Sequence, residues 1–215
     1  MSGRTGSDRA PGRDGARRTW LRWPRARRAN GGNDVASLLR EIAALTEEVR
    51  ALARVARTDP LTGLANRRGW DEQVTRELAR AQRSGGALSV ALLDLDDFKN
   101  FNDTHGHQAG DRLLVEAAAA WRGQLRDMDV LCRWGGDEFA LLLPDCSGPE
   151  AQEVIARLGP ATPSLQSCAV GLAAWDGHET SHDLLRRADG ALLEEKRVRR
   201  WSGGQTALLP RAAAG

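Results

Sequence analysis

Arg133-Trp134-Gly135-Gly136-Asp137-Glu138-Phe139-Ala140-Leu141-Leu142-Leu143 is the stretch whose reading decides the fold. It reads as two short strands about a Gly-Gly turn, because two-residue hairpin loops need positive φ and glycine supplies it without steric cost. Val130, Leu131 and Trp134 suit the incoming strand, and Phe139 to Leu143 suit a buried outgoing one. Asp137 and Glu138 are the awkward pair. Carboxylates beside a buried run are costly unless they are solvated or serve a cation. An ordinary exposed hairpin tip and a functional acidic turn both fit this stretch alone.

Upstream, Ala87 to Asp94 is a nearly all-apolar run that predicts a central strand buried on both faces. Asp94, Asp96 and Asp97 follow at its end, with Asp94 and Asp96 leaning to one face while the strand lasts. Three carboxylates there are hard to justify as packing. As ligands of a hard cation such as Mg²⁺ they make sense, since such ions take one or two carboxylates plus substrate phosphates. An acidic loop capping the next helix is the plain alternative.

The remaining elements follow from periodicity and breakers. Thr58-Asp59-Pro60 and Thr62-Gly63 are turn chemistry, and Asn66 caps a predicted helix to about Arg83. Residues 102–111 read as a polar loop into a helix from Asp111 to about Gln124, with Asp111 favoured at its start. His105-x-His107 lacks a third or fourth nearby Cys/His ligand, so the loop reads as one that shapes a pocket rather than a zinc site. A short helix over about Glu150–Leu158, a strand over Leu165–Ala174 and a helix over about Ser181–Arg199 complete the body. Lys196 and Arg200 extend the apolar stripe of that last helix, a placement that suits an anionic ligand or the helix dipole. The order β-α-β-β-α-β-α, preceded by a helix, predicts an α+β fold of ferredoxin-like type, with antiparallel strands in a central sheet flanked by helices.

Outside the body, residues 1–33 hold nine arginines and two aspartates, about +7, against +2 for the 215 residues together. This arm is read as disordered. Trp20 and Trp23 among its arginines leave a nucleic-acid or membrane contact open beside a plain solvated tail. Val35, Leu38, Ile42, Leu45, Val49, Leu52 and Ala56 alternate in steps of three and four, which predicts a coiled-coil helix over 34–57, capped by Asn33 or Asp34, and a parallel dimer stalk. A helix packed on its own domain would look similar. Residues 202–215 read as a disordered tail. Three cysteines without C-x-x-C spacing, no membrane-length apolar run and no secretory h-region predict a cytoplasmic protein.

Together these segments resemble the GGDEF family, the diguanylate cyclase domains, over about residues 57–200. The marks are Thr58-Asp59-Pro60-Leu61-Thr62-Gly63-Leu64-x-Asn66-Arg67-Arg68, then Asp94-x-Asp96-x-Phe98-Lys99-x-x-Asn102-Asp103-x-x-Gly106-His107-x-x-Gly110-Asp111, then Arg133 to Phe139, and Ala188-Asp189-x-Ala191-Leu192. The resemblance implies a palm-type, nucleotidyl-cyclase-like fold over 58–201 and condensation of two GTP to cyclic di-GMP by two facing domains, a homodimer. It implies Asp94, the Leu95 carbonyl and Asp137 as ligands of two Mg²⁺ (or Mn²⁺) ions per active site. Glu138 would help orient or activate the attacking 3′-hydroxyl. Asn102 and Asp111 would read guanine, a carboxylate being able to accept from N1–H and the 2-amino group. Lys99, Lys196 and Arg200 would neutralise phosphates, with Arg133, Gly135 and Gly136 bringing the turn to the triphosphate. Arg126-x-x-Asp129 stands at the spacing of the family's inhibitory product site. The sequence departs from the family at Ala169 (usually serine), Leu193 (tyrosine), Glu195 (alanine), Arg199 (glycine) and Trp201 (asparagine), which puts the placement of Lys196 and Arg200 in question. A catalytically inactive module that binds GTP or cyclic di-GMP as a sensor is the rival reading, and no input domain or regulator is evident in the chain.

Overall fold

The computed structural model describes residues 31–164 and 166–206, with side chains over 34–164 and 166–201. The readings made for residues 1–30 and 207–215 lie outside the described residues. The chain divides within its first helix, after Thr46. Helix α1 spans Gly31–Arg57 and begins ahead of the caps predicted at Asn33 and Asp34. Its seam residues Val35, Leu38, Ile42, Leu45, Val49 and Leu52 are each more than half exposed.

The body runs α2 (Arg67–Ser84), β1 (Leu88–Leu95), α3 (Phe98–His105), α4 (His107–Arg122), β2 (Val130–Gly135), β3 (Glu138–Pro144), α5 (Gly148–Ala161), β4 (Cys168–Ala174) and α6 (Ser181–Thr206). The four strands form one sheet in the order β2-β3-β1-β4, every neighbouring pair antiparallel. This is the predicted ferredoxin-like arrangement, with β1 central.

Strand alternation decides which side chains meet which helices. Leu88 and Val90 join Cys132, Ala140, Leu142 and Ala173 in a core under α2 and α6, with Trp70, Val74, Leu184 and Ala188. Ala91, Leu93 and Leu95 join Leu131, Phe139, Leu141 and Leu143 in a second core under α4 and α5, with Leu114, Trp121, Val154 and Leu158. Asp94 continues the first set, so it emerges on the α6 side of the sheet. Two cores explain why β1 reads as a continuous apolar run rather than an alternating one.

Four boundaries differ from the sequence reading. The hairpin turn is Gly136-Asp137, not Gly135-Gly136: Gly135 still pairs with Glu138, and the register shifts between Arg133 and Gly135, a bulge that re-aims the strand end. Only Gly136 takes positive φ, at 54°. The predicted loop over 102–111 is helical. Phe98 and Phe101 of α3 pack against the core, which makes the polar stretch one face of an amphipathic helix. Gly106, at φ 82°, breaks α3 from α4. Asp111 therefore lies inside α4, whose first turn carries no acid, and not at the helix start. Finally, β4 begins at Cys168, and α6 continues past Arg199 to Thr206, into the stretch read as a tail. Among the described residues no helix is long and apolar enough to cross a membrane.

Candidate active site

Two strand ends and one helix build the acidic centre. Asp94 is the cross-strand partner of Glu138, and the Leu95 N–H donates to the Asp137 carbonyl at 3.4 Å. The hairpin turn is thereby fixed beside the end of β1. Asp94 is buried, at 9 % exposure. Its Oδ2 receives the Lys196 ammonium at 2.7 Å from α6. Sequence periodicity had placed Asp94 and Lys196 on separate elements; the sheet order and the packing of α6 on it bring them into contact.

The carboxylates strain one another. Burial raises the Asp137 carboxyl above its ordinary range, and the nearby Asp94 charge adds to the rise, against the pull of its own backbone N–H and of Lys196. Burial likewise raises Glu138, with Asp94 and Asp137 adding to it. Such a cluster favours whatever brings positive charge to it.

Arg133 is committed to the turn. Its Nε and Nη2 donate to the Gly136 carbonyl at 3.0 and 2.9 Å, and its Nη1 reaches both oxygens of Asp59 at 3.2 and 3.3 Å. Burial pushes the Asp59 carboxyl up, but the Thr62 hydroxyl and N–H and the Arg133 guanidinium outweigh it, and the net shift is downward. Asn66 ties the same corner to α1: its Nδ2 donates to the Ala56 and Thr58 carbonyls, while its Oδ1 accepts from Gly69 as the helix cap. Gly135 and Gly136 line the outer side of this corner with Arg67 and Trp134, the Arg67 guanidinium lying 4.7 Å over the Trp134 ring.

On the α6 side, Asp94, Asp96, Asp97, Ser167, Lys196, Arg199 and Arg200 line a cleft of about 360 Å³. The family departures are accommodated. Ala169 is fully buried, whereas Leu193 and Trp201 are exposed. Arg199 bonds Asp96 at 2.8 Å and Glu195 at 2.7 Å, so two departures satisfy each other and hold the turn that carries Lys196 and Arg200. Ser167 also donates to Asp96. Among the described residues no three His, Cys, Asp or Glu side chains converge into a metal cage.

Just beyond the end of β1, α3 and α4 pack together. Lys99 stands exposed in the first turn of α3 and Asp111 exposed on α4. Asn102 packs between the helices with its Oδ1 buried and unpartnered. The approach of Asn102 to Gly110 of α4 depends on α3, a helix where the sequence reads as loop.

Arg126 and Asp129 form a tight turn before β2. Asp129 is buried, and its Oδ2 accepts from the Arg126 N–H at 2.8 Å, leaving the Arg126 side chain exposed. Arg122 braces the turn by donating to the Arg126 and Asp129 carbonyls. Arg157 of α5 also reaches this corner, donating to the Gln124 carbonyl at 3.5 Å. The sequence reading missed Arg157, because no local motif links α5 to Arg126; only the α4–α5 packing does.

Comparison with known proteins agrees with this geometry. The family model for "Diguanylate cyclase, GGDEF domain" matches residues 56–201. Diguanylate cyclase DgcP of Pseudomonas aeruginosa is 41 % identical over 155 residues, 67 % of this chain and 23 % of that protein. Diguanylate cyclase DosC of Escherichia coli is 35 % identical over 179 residues, 78 % of this chain and 38 % of that protein. The chain thus spans less than half the length of these curated relatives. Among solved structures, the coiled coil and GGDEF domain of DgcB from Caulobacter crescentus, in complex with c-di-GMP, aligns with TM-score 0.70 at 30 % identity, covering 77 % of this chain and 94 % of that one. Diguanylate cyclase SiaD of Pseudomonas aeruginosa, in complex with its activator SiaC, aligns with TM-score 0.66 at 38 % identity, covering 77 % and 68 %. With a family model spanning most of its body and relatives of this similarity, the chain belongs to the GGDEF family of diguanylate cyclase domains.

Proposed function

We propose that this chain is an active diguanylate cyclase, joining two GTP molecules into cyclic di-GMP with release of two pyrophosphates. The observation that carries the reading is the meeting of Asp94, Asp137 and Glu138 at one end of the sheet with the Lys196 and Arg200 cleft beside them. Carboxylates and cations at one place suit a metal-bound nucleoside triphosphate.

Asp94, Asp137 and the Leu95 carbonyl would hold Mg²⁺ (or Mn²⁺). Their oxygen donors are of the right hardness, and a cation would ease the Asp137 and Glu138 carboxyls, which burial first and neighbouring carboxylates second push upward. When bound, the ions supply charge neutralisation for the triphosphate and its leaving pyrophosphate. Lys196 and Arg200 hold the phosphates from α6, and Lys99 from α3. Asn102 and Asp111 hold guanine. Glu138 orients the 3′-hydroxyl that attacks the α-phosphorus of the opposite nucleotide.

One chain offers one nucleotide site, so the reaction needs two. The exposed a/d seam of α1 supplies a dimer contact that raises the local concentration of the second half-site. Arg126 and Asp129, with Arg157, would bind the product and restrain turnover; an exposed guanidinium is suited to guanine or phosphate. An upstream regulator acting through α1 fits the bonds from Asn66 to Ala56 and Thr58.

The test is incubation of the folded protein with GTP and Mg²⁺, followed by chromatography for cyclic di-GMP, with Asp137→Ala as the control that abolishes it. Product binding without turnover would favour the sensor reading instead.

A further inference from the structure

Arg67 and Arg68 open helix α2, and both are exposed. With Arg133, Trp134, Gly135 and Gly136 they line a cleft of about 500 Å³ on the outer side of the hairpin. The acids around them are spent. Asp59 is bonded to Arg133, and Glu72 to Arg57 at 2.7 Å. Arg133 is spent as well, since its remaining nitrogens donate to the Gly136 carbonyl. Among the described residues Arg67 and Arg68 have no ion-pair partner, and two adjacent like charges repel until an anion joins them. Arg67 is also held in place. Its guanidinium lies 4.7 Å over the Trp134 ring, and the buried Trp70 meets Trp134 edge-on with ring centroids 5.9 Å apart. A stacked guanidinium keeps its N–H edge for another partner.

The hairpin turn lies between this cleft and the one at Lys196. The two clefts share no lining residue, yet Lys196 and Arg133 both act on the Asp137 carboxyl. Arg67 borders a further cleft with Trp134, Leu92 and Asp189, and Asp189 is close enough to act on Glu138. The acidic turn thus has cations on two sides. We propose that Arg67 and Arg68 bind the triphosphate held by a facing copy of the chain, so that each nucleotide site is completed by arginines from its partner. The inference rests on the GTP reading above. A chain's own triphosphate takes the Lys196 and Arg200 side of the turn. The opposite nucleotide has to bring its α-phosphorus to the 3′-hydroxyl at Glu138, and the free guanidiniums stand on the side left open to it.

In the step they serve, the 3′-oxygen of one nucleotide bonds to the α-phosphorus of the other, and its proton passes to the Glu138 beside it. The bond from that phosphorus to the bridging oxygen breaks, and pyrophosphate leaves with the bonding pair. Negative charge grows on the leaving group, which is what a fixed cation supplied from the partner stabilises. Under two-fold symmetry the contact is made twice, once for each bond of the cyclic product.

The experiment uses the full chain as wild type, as the double variant Arg67→Ala/Arg68→Ala, and as Asp137→Ala. Sedimentation measures self-association in Mg²⁺ with and without 3′-deoxy-GTP, which lacks the attacking hydroxyl. The nucleotide should tighten wild-type association by about tenfold or more, the worth of a charge-assisted hydrogen bond, and should not tighten that of the double variant. The double variant should melt within about 2 °C of wild type, since both side chains are exposed. With GTP it should form cyclic di-GMP about 100-fold more slowly or worse. An equimolar mixture of the double variant with Asp137→Ala should form the linear dinucleotide faster than either variant alone. There the Asp137→Ala chain lends its arginines to a partner whose carboxylates are intact, and only one of the two bonds can be made. The proposal is overturned if the nucleotide tightens association of the double variant as it does wild type. It is equally overturned if wild type is active and the mixture forms no more linear product than its parts, because the arginines then serve their own chain. Arginine-dependent tightening by the nucleotide, with no cyclic product from wild type, would remove the cyclase reading and leave this inference standing.

Discussion

The Lys196 ammonium lies 2.7 Å from the Asp94 carboxylate, although they belong to the last helix and the first strand of the sheet. This pair joins the basic side of the cleft to its acidic side. Asp94 is nearly buried, so removing the lysine leaves a carboxylate without its counter-charge. Lys196→Ala should cost about 1–3 kcal/mol of stability, read by denaturant unfolding, and should raise the KM for GTP by about tenfold or more. An unchanged KM would place the triphosphate elsewhere.

The raised carboxyls at the hairpin give a pH signature. A carboxyl raised in the folded state favours folding while it is protonated, and that contribution is lost as pH rises from the ordinary carboxylate range through the raised value. Asp137 and Glu138 both have this sign. Asp137→Asn and Glu138→Gln should therefore melt higher than wild type at neutral pH, by about 2–4 °C. The gap should close as the pH falls below the ordinary carboxylate range. A gap that widens on acidification would have the wrong sign for these shifts.

The Asp59–Arg133 pair holds the turn from outside. Both side chains are only 16 % exposed, and Arg133 carries the Gly136 carbonyl on its other nitrogens. Asp59→Ala frees the guanidinium and loosens the Gly136-Asp137 turn. We expect a loss of about 1–3 kcal/mol and a fall in kcat of about tenfold or more, because a displaced catalytic group is costly even when it is present. Asp59 is lowered in the folded state, so its stabilisation is present above the ordinary carboxylate range and disappears as pH falls through the lowered value. Melting curves of wild type and Asp59→Ala should converge at acid pH.

The Arg199–Asp96 pair is a local solution to a departure from the family. Arg199→Gly restores the residue usual at that position and removes the bonds to Asp96 and Glu195. The side chains are substantially exposed, so the stability change should be within about 1 kcal/mol. The turn bearing Lys196 and Arg200 loses a tether, and the KM for GTP should rise by about two- to fivefold. No change in KM would mean that α6 packing on β4 alone sets the cleft.

Much of this is legible in the amino-acid sequence. The apolar run before Asp94 marks β1 as central; the strand ends at Leu95, so Asp96 lies in the turn after it and not on a strand face, although both aspartates line one cleft. The Gly-Gly-Asp-Glu stretch located the hairpin. Its turn was placed one residue early, because a bulge at Trp134 cannot be read from residue types. Residues 102–111 looked like loop because their helix is short, polar and broken at Gly106; Phe98 and Phe101 carried its only apolar signal. Contacts between distant elements were out of reach altogether. Nothing in sequence spacing links Arg133 to Asp59, Arg199 to Asp96 or Arg157 to the Arg126 turn, since each depends on how helices close over the sheet.

The most direct test of the account is the stoichiometry of turnover on the folded protein with GTP and Mg²⁺, with cyclic di-GMP and pyrophosphate quantified in the same reaction. The account predicts one cyclic di-GMP for every two pyrophosphates and no product from Asp137→Ala. Saturable GTP binding by a folded dimer with no cyclic di-GMP formed would contradict it.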